Sequence, residues 1–236
     1  MEAAMNALLE NFFNLDVYIQ VFPYLLQGLW TTVWLSLMVI PLGLLSGLLL
    51  AIVATRSKHR WMRVLVAIHV DFFRAFPPLV LLIFIYFAAP FFGWNIPKLA
   101  AVALGFMLNN SSYYAEVFRA GLSSVSRGQD EAARSTGMSS WQALFYVTLP
   151  QATRNVLPDL LGNSIEVVKM TTLASVVALP ELLKAARDAQ SMIYNPSPVV
   201  LAALMYLLLL WPLVRLLSRI ERRHLDRLRK NQAGAS

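Results

Sequence analysis

The sequence contains no cysteine, so a disulfide frame and a thiolate metal site are both excluded. It is also short of charge. Asp, Glu, Lys and Arg make up 14% of its 236 residues, where soluble chains carry about 25%. The first 22 residues hold no Lys or Arg. The basic start of a secretory signal is therefore missing, and no cleavage is expected. No G-x-x-x-x-G-K-[ST] phosphate loop occurs, so this chain is not expected to hydrolyse ATP itself. The three histidines, His59, His69 and His224, are scattered among basic segments, and no nucleophile–base pair or metal cluster can be assembled from them.

What the chain does have is apolar length. It is 58% hydrophobic, with a mean hydropathy of +0.57. A bilayer core takes about 20 apolar residues per helix, and five stretches qualify: Tyr24 to Ala54, Pro77 to Phe92, Leu99 to Phe118, Val156 to Leu179 and Val199 to Leu217. The second is preceded by an amphipathic stretch, Trp61 to Phe76, that can extend it backwards. The expected fold is an all-α integral membrane protein of five transmembrane helices.

The net charge of +7 suggests nucleic acid only until the positions are read. Sixteen of the 20 basic residues lie after span one, between spans three and four, or in the end of the chain from Arg215 on. Three (Lys98, Lys184 and Arg187) fall on the other side, and Lys169 lies within span four. Basic residues stay on the cytoplasmic side. The N-terminus is therefore expected outside and the C-terminus cytoplasmic. Residues 1–22 suit an outer interfacial helix, residues 23–219 the membrane domain, and residues 220–236 a basic cytoplasmic tail that extends the fifth span as a solvated helix.

The segment 126–150 carries the densest local signals. Ser126 with Gln129, and Ser139 with Gln142, have the spacing of capping boxes. Gly137 suits the left-handed position just past a helix end, and Pro150 marks a helix boundary. Two short helices around a glycine turn follow, outside the membrane, where only another protein can hold them.

Glu131-Ala132-Ala133, Gly137 and Val147-Thr148-Leu149-Pro150 resemble the cytoplasmic EAA loop of bacterial ABC importer permeases, with Val147 where that motif has Ile. Further runs resemble the polar amino acid uptake family: Gly28 to Thr32; Phe73 to Val80, with Ala75 and Phe76 for Gly and Thr and an extra Pro78; Leu108 to Gly121; and Val168 to Leu173, with Met170 for Asp. The resemblance covers Gly28 to Arg219. It implies a short coupling-helix hairpin in which Glu131, Ala132, Ala133, Gly137, Val147, Leu149 and Pro150 dock in a groove of a separate ATPase. It also implies a second permease subunit, identical or paralogous, an extracytoplasmic solute-binding protein, and residence in the bacterial inner membrane. ATP and magnesium belong to the ATPase, this chain holds no cofactor, membrane lipid is its surrounding partner, and no nucleic acid is implied. An opine, a compatible solute or another amino acid derivative is the alternative cargo. A membrane-embedded enzyme and a passive channel are the rival classes.

Polar residues inside spans are candidates for the solute path because charge at bilayer depth usually faces a cavity or a bundle interior. Asn109, Asn110, Ser111 and Ser112 lie mid-span and circle the helix, so some must bind neighbouring helices. Asn163, Glu166 and Lys169 are three apart and share a face; Thr171 and Thr172 follow. Lys169 suits a solute carboxylate and Glu166 an ammonium, while pairing with each other is the plain structural alternative. With Met170 in place of an acid, a neutral or acidic solute is expected over a cationic one. Gly43 and Gly47 form a small-residue pair for close helix approach. Glu116 is placed to pair with Arg119.

Overall fold

The computed structural model describes residues 5 and 10–233, with side chains as far as Arg223. Part of the expected outer helix over residues 1–22 lies outside them, at residues 1–4 and 6–9, as does the end of the basic tail.

Among the described residues the chain is helical, with no strand. α1 is Leu15–Arg56, α2 Arg60–Ala75, α3 Pro78–Ile83, α4 Lys98–Ser124, α5 Arg127–Ser135, α6 Ser140–Gln142, α7 Leu149–Asn155, α8 Leu157–Met170, α9 Leu182–Ile193 and α10 Ser197–Ala233. Among the described residues, three helical stretches are long and apolar enough to cross a membrane: 10–56, 157–177 and 197–223. A fourth arises if α2 and the stretch Pro78–Phe92 count as one broken span, bent by 102°. The break falls at Phe76-Pro77, where proline disfavours helix in the residue before it. α4 has the length, but its Asn and Ser residues dilute its apolarity.

Two expectations change in detail. Residues 15–22 are not a separate interfacial helix but the first turns of α1, which runs unbroken for 42 residues, roughly 60 Å. Pro150 does not end a helix. Residues 143–148 form a π-helix that passes directly into α7, with Pro150 in its first turn. The wide π turn absorbs the hydrogen bond that proline cannot donate. Pro90 follows a second π segment, Phe84–Ala88, in the same way.

The chain forms two compact units. One comprises residues 1–39, 78–105 and 165–213; the other comprises 40–77, 106–164 and 214–236. In the first, Val17, Val21 and Leu25 of α1 pack on Leu182, Ala186 and Ala189 of α9 and on Ala202 and Met205 of α10. Small residues let these helices approach: a Cβ on Gly28 would lie 2.9 Å from Ala185 Cβ and 3.0 Å from Leu182 Cα. In the second unit, Ala51 and Ile52 of α1, Tyr114, Phe118 and Leu122 of α4, and Leu144, Ala152, Val156 and Leu160 form one cluster. There a Cβ on Gly47 would lie 2.5 Å from Tyr114 Cβ, and one on Gly43 would lie 3.0 Å from the Tyr114 ring. Lipid tails supply no hydrophobic drive between helices, so this close fit is what holds them.

Candidate functional site: the coupling hairpin and the open charges of the spans

The hairpin belongs to the second unit. α5 ends in a Schellman arrangement: Gly137 N–H donates to Arg134 O at 3.0 Å and Met138 N–H to Ala133 O at 3.4 Å. Gly137 has φ +90°, a conformation that glycine adopts without steric cost. Ser139 caps the next helix in a complete capping box, with its own N–H on Gln142 Oε1 at 2.8 Å and its Oγ accepting from Gln142 N–H at 3.3 Å.

The other expected box is absent, because Ser126 makes no side-chain cap. Gln129, its intended partner, accepts instead from Gln151 Nε2 at 3.4 Å. Arg56, at the end of α1, donates to Asp130 at 3.0 Å and fastens the hairpin to that helix.

Of the motif residues, Glu131, Ala132, Gly137 and Pro150 are exposed, Val147 and Leu149 half-buried, and Ala133 buried. Trp141 stacks on Phe145, and both are exposed, as is Tyr146. These aromatics stand outside the sequence motif. The only sequence signal for them is an aromatic run in a segment too polar to span.

The four mid-span polar residues of α4 are buried in the second unit and committed. Asn109 Nδ2 donates to Phe73 O at 2.8 Å, capping the end of α2 just before the break. Ser111 Oγ meets His69 Nε2 at 3.0 Å. Asn110 and Ser112 bond back to Phe106 O and Asn109 O within α4. Glu116 holds Arg119 through two bonds, at 3.0 and 2.8 Å.

Glu166 and Lys169 behave differently. They pair at 2.6 Å, yet their side chains are 66% and 49% exposed. Thr172 is half-buried beside them, and its hydroxyl donates to Lys169 O. Thr171 is fully buried, bonding Val168 O at 2.7 Å. Asn163, one turn earlier and in the other unit, is half-buried.

Between the fourth and fifth apolar stretches lies a carboxylate that sequence reading missed. Glu181 is fully buried. It accepts from the N–H groups of Leu183 at 2.9 Å and Lys184 at 2.7 Å and from Tyr206 Oη at 2.8 Å, so it caps α9 and ties it to α10. Burial pushes its carboxyl above the ordinary value, and these donors pull it back. Thr32 Oγ1 accepts from Leu182 N–H at 3.2 Å and joins α1 to the same point. An acidic residue directly before an amphipathic helix was the available signal.

Long apolar helices, small-residue contacts between them, buried polar caps and a charged pair left open on a span define a helical membrane permease. Comparison with known proteins narrows the class. Residues 40–225 match the model of the binding-protein-dependent transport system inner membrane component. The chain is 36% identical over 178 residues to the probable amino-acid ABC transporter permease protein YckA of Bacillus subtilis, covering 75% of this chain and 78% of that one. It is 34% identical over 202 residues to the probable glutamine ABC transporter permease protein GlnP of the same organism, covering 84% and 92%. The glutamate transport system permease protein GluD of Corynebacterium glutamicum is 34% identical over 215 residues, with 88% and 78% covered.

Among solved structures, an amino acid ABC transporter crystallised with histidines superposes with a TM-score of 0.78 at 34% identity, covering 87% of this chain and 96% of that one. The methionine transporter MetNI, at 21% identity and a TM-score of 0.70 over 86% and 97%, shares the fold. The chain belongs to the binding-protein-dependent transport family and is a permease subunit of an ABC importer. It is a multi-pass membrane protein without a catalytic role; ATP hydrolysis resides in a separate subunit.

Proposed function

We propose that the chain is a five-span inner-membrane permease that carries a neutral or acidic amino acid, with Glu166, Lys169 and Thr172 on the solute path. The observation that carries this reading is the Glu166–Lys169 pair, charged and open on a helix too apolar to lie in water. Against lipid such a pair is expensive. Its open side must therefore meet water, solute or a second permease subunit. The relatives named for glutamine, glutamate and amino acid transport support the class of cargo. Lys169 offers a charge-assisted bond to a carboxylate or amide oxygen, and Met170 leaves it no further acid from this stretch of chain.

The buried Asn109, Asn110, Ser111 and Ser112 serve as helix glue in this reading, and Thr171 likewise supports the fold. The hairpin docks the ATPase through Glu131, Ala132 and Gly137, with Ala133, Val147, Leu149 and Pro150 shaping it. A second permease and an extracytoplasmic binding protein complete the assembly.

Pairings within the first unit support the alternation of the spans. Asn14 at the start of α1 takes Ser197 Oγ as acceptor at 3.3 Å, and Asn195 Nδ2 donates to Glu10 O at 3.1 Å. Lys98 Nζ donates to Ala178 O at 3.2 Å, joining the start of span three to the end of span four. Both pairings join ends that five alternating spans place on one side of the membrane, and the basic split assigns that side to the outside.

The test is competition uptake in vesicles holding the complete transporter. Glutamine and glutamate should displace labelled solute and arginine should not. Preference for arginine would overturn the cargo assignment.

A further inference from the structure

We propose that Arg74 binds the solute's carboxylate at a station of its own, in the half of the membrane nearer the hairpin. This rests on the amino acid permease reading. α2 and α4 lie side by side and antiparallel: Phe73 meets Asn109, His69 meets Ser111, and Val66 and Val70 pack on Ala115, so positions rise on one helix as they fall on the other. If α4 is a span, α2 runs inside the bilayer beside it, and the last turn of α2 lies level with the middle of α4.

Arg74, one of the sixteen basic residues expected on the cytoplasmic side, is in that last turn and so within the bilayer on this reading. Its Nη1 stands 4.0 Å from Glu116 Oε2, and its guanidinium lies 5.8 Å above the Tyr113 ring centroid. Its side chain is 46% exposed, and it donates no hydrogen bond to any described residue. An arginine at this depth does not rest against lipid.

Glu116 is already committed. Arg119 holds both of its oxygens, and Arg74 is the second, looser neighbour. The guanidinium lies over the Tyr113 ring at the long end of cation–π reach, and its fork of donors suits a carboxylate through two parallel bonds. Asp71, one turn back on the same open side, has no ion-pair partner within 4.0 Å among the described residues. Asp71, Arg74, Glu116 and Arg119 thus form a set of four charges that sums to zero. A phosphate or another strong anion would unbalance that set. A zwitterion suits it, with its carboxylate on Arg74 and its ammonium beside Asp71.

The experiment measures binding of labelled glutamine, glutamate and arginine to the solubilised permease–ATPase complex without the binding protein, so that the permease alone discriminates. Glutaminamide, which lacks the α-carboxylate, serves as the competitor. The wild-type complex should prefer glutamine to glutaminamide. Arg74→Gln should weaken glutamine binding by about tenfold or more, the worth of one charge-assisted pair, and should remove the preference over glutaminamide. Arg74→Lys should recover part of both. Light scattering should show the same assembly for all three.

Unchanged glutamine binding and preference in Arg74→Gln would overturn the proposal. So would loss of the second permease subunit with the preference intact, since Arg74 would then be an interface ion pair. If the wild-type complex binds none of the three amino acids, the cargo reading itself fails and this station falls with it.

Discussion

Two polar groups of equal prominence in the sequence meet opposite fates in the fold. Asn109 to Ser112 are four adjacent polar residues in the middle of a span, and every one is buried with a hydrogen-bond partner. Glu166 and Lys169 are only two residues, more costly to bury, and they stand open with each other as partner. Polarity inside a membrane helix therefore does not by itself mark a path. In the proposed reading, what marks it is hydrogen-bonding capacity that the chain leaves unspent. Asn109 spends its amide on the carbonyl freed at the α2 break. Beside Lys169 the carbonyls at the helix end, those of Val168 and Lys169, are met by the hydroxyls of Thr171 and Thr172, and the Lys169 side chain is left over.

The sharpest break of the wider account lies outside the membrane. Gly137→Val forces a β-branched residue into φ +90°, which resists the left-handed region. Uptake should fall by more than about tenfold while the ATPase continues to hydrolyse. Measuring both rates in vesicles checks this, and full transport would remove the docking role.

Next comes packing between α1 and α4. Gly47→Val drives a side chain into Tyr114 and should cost about 1–3 kcal/mol. The loss should appear as an earlier thermal transition of the detergent-solubilised complex. An unchanged transition would mean that the two helices can separate freely.

Asn109→Leu should destabilise by about 1–3 kcal/mol, because it leaves the Phe73 carbonyl without its donor. Thermal unfolding is again the measure, and uptake KM for the folded fraction should stay constant.

The smallest effect separates two serines of identical sequence promise. Ser139→Ala removes a working cap and should cost about 1 kcal/mol. Ser126→Ala should cost close to nothing, since its side chain caps nothing. Equal effects in paired unfolding curves would contradict the geometry.

These serines also show where sequence reading reaches its limit. A capping box is a local pattern, and at Ser139 local forces decide. At Ser126 the partner Gln129 is claimed by Gln151, 22 positions away, and no window of sequence contains that competition. The same holds for Arg56 with Asp130 and for Glu181 with Tyr206. The helix-rich membrane class, the glycine turn and the Gly43–Gly47 packing face were legible because hydropathy, backbone freedom and side-chain size act over short spans of chain. The π segments before Pro90 and Pro150 were not, since proline reads as a stop unless the wide turn ahead of it is known.

The measurement closest to the central claim sets Lys169→Met beside Asn109→Leu in one assay. For each variant, uptake KM for glutamine and glutamate and the unfolding temperature of the complex are determined together. The proposal is that open polar groups handle solute and consumed ones hold helices. Lys169→Met should therefore raise KM by about tenfold or more with little change in unfolding temperature, and Asn109→Leu should lower the unfolding temperature with KM unchanged. The reverse pattern, or an unaltered KM in Lys169→Met, would contradict the account.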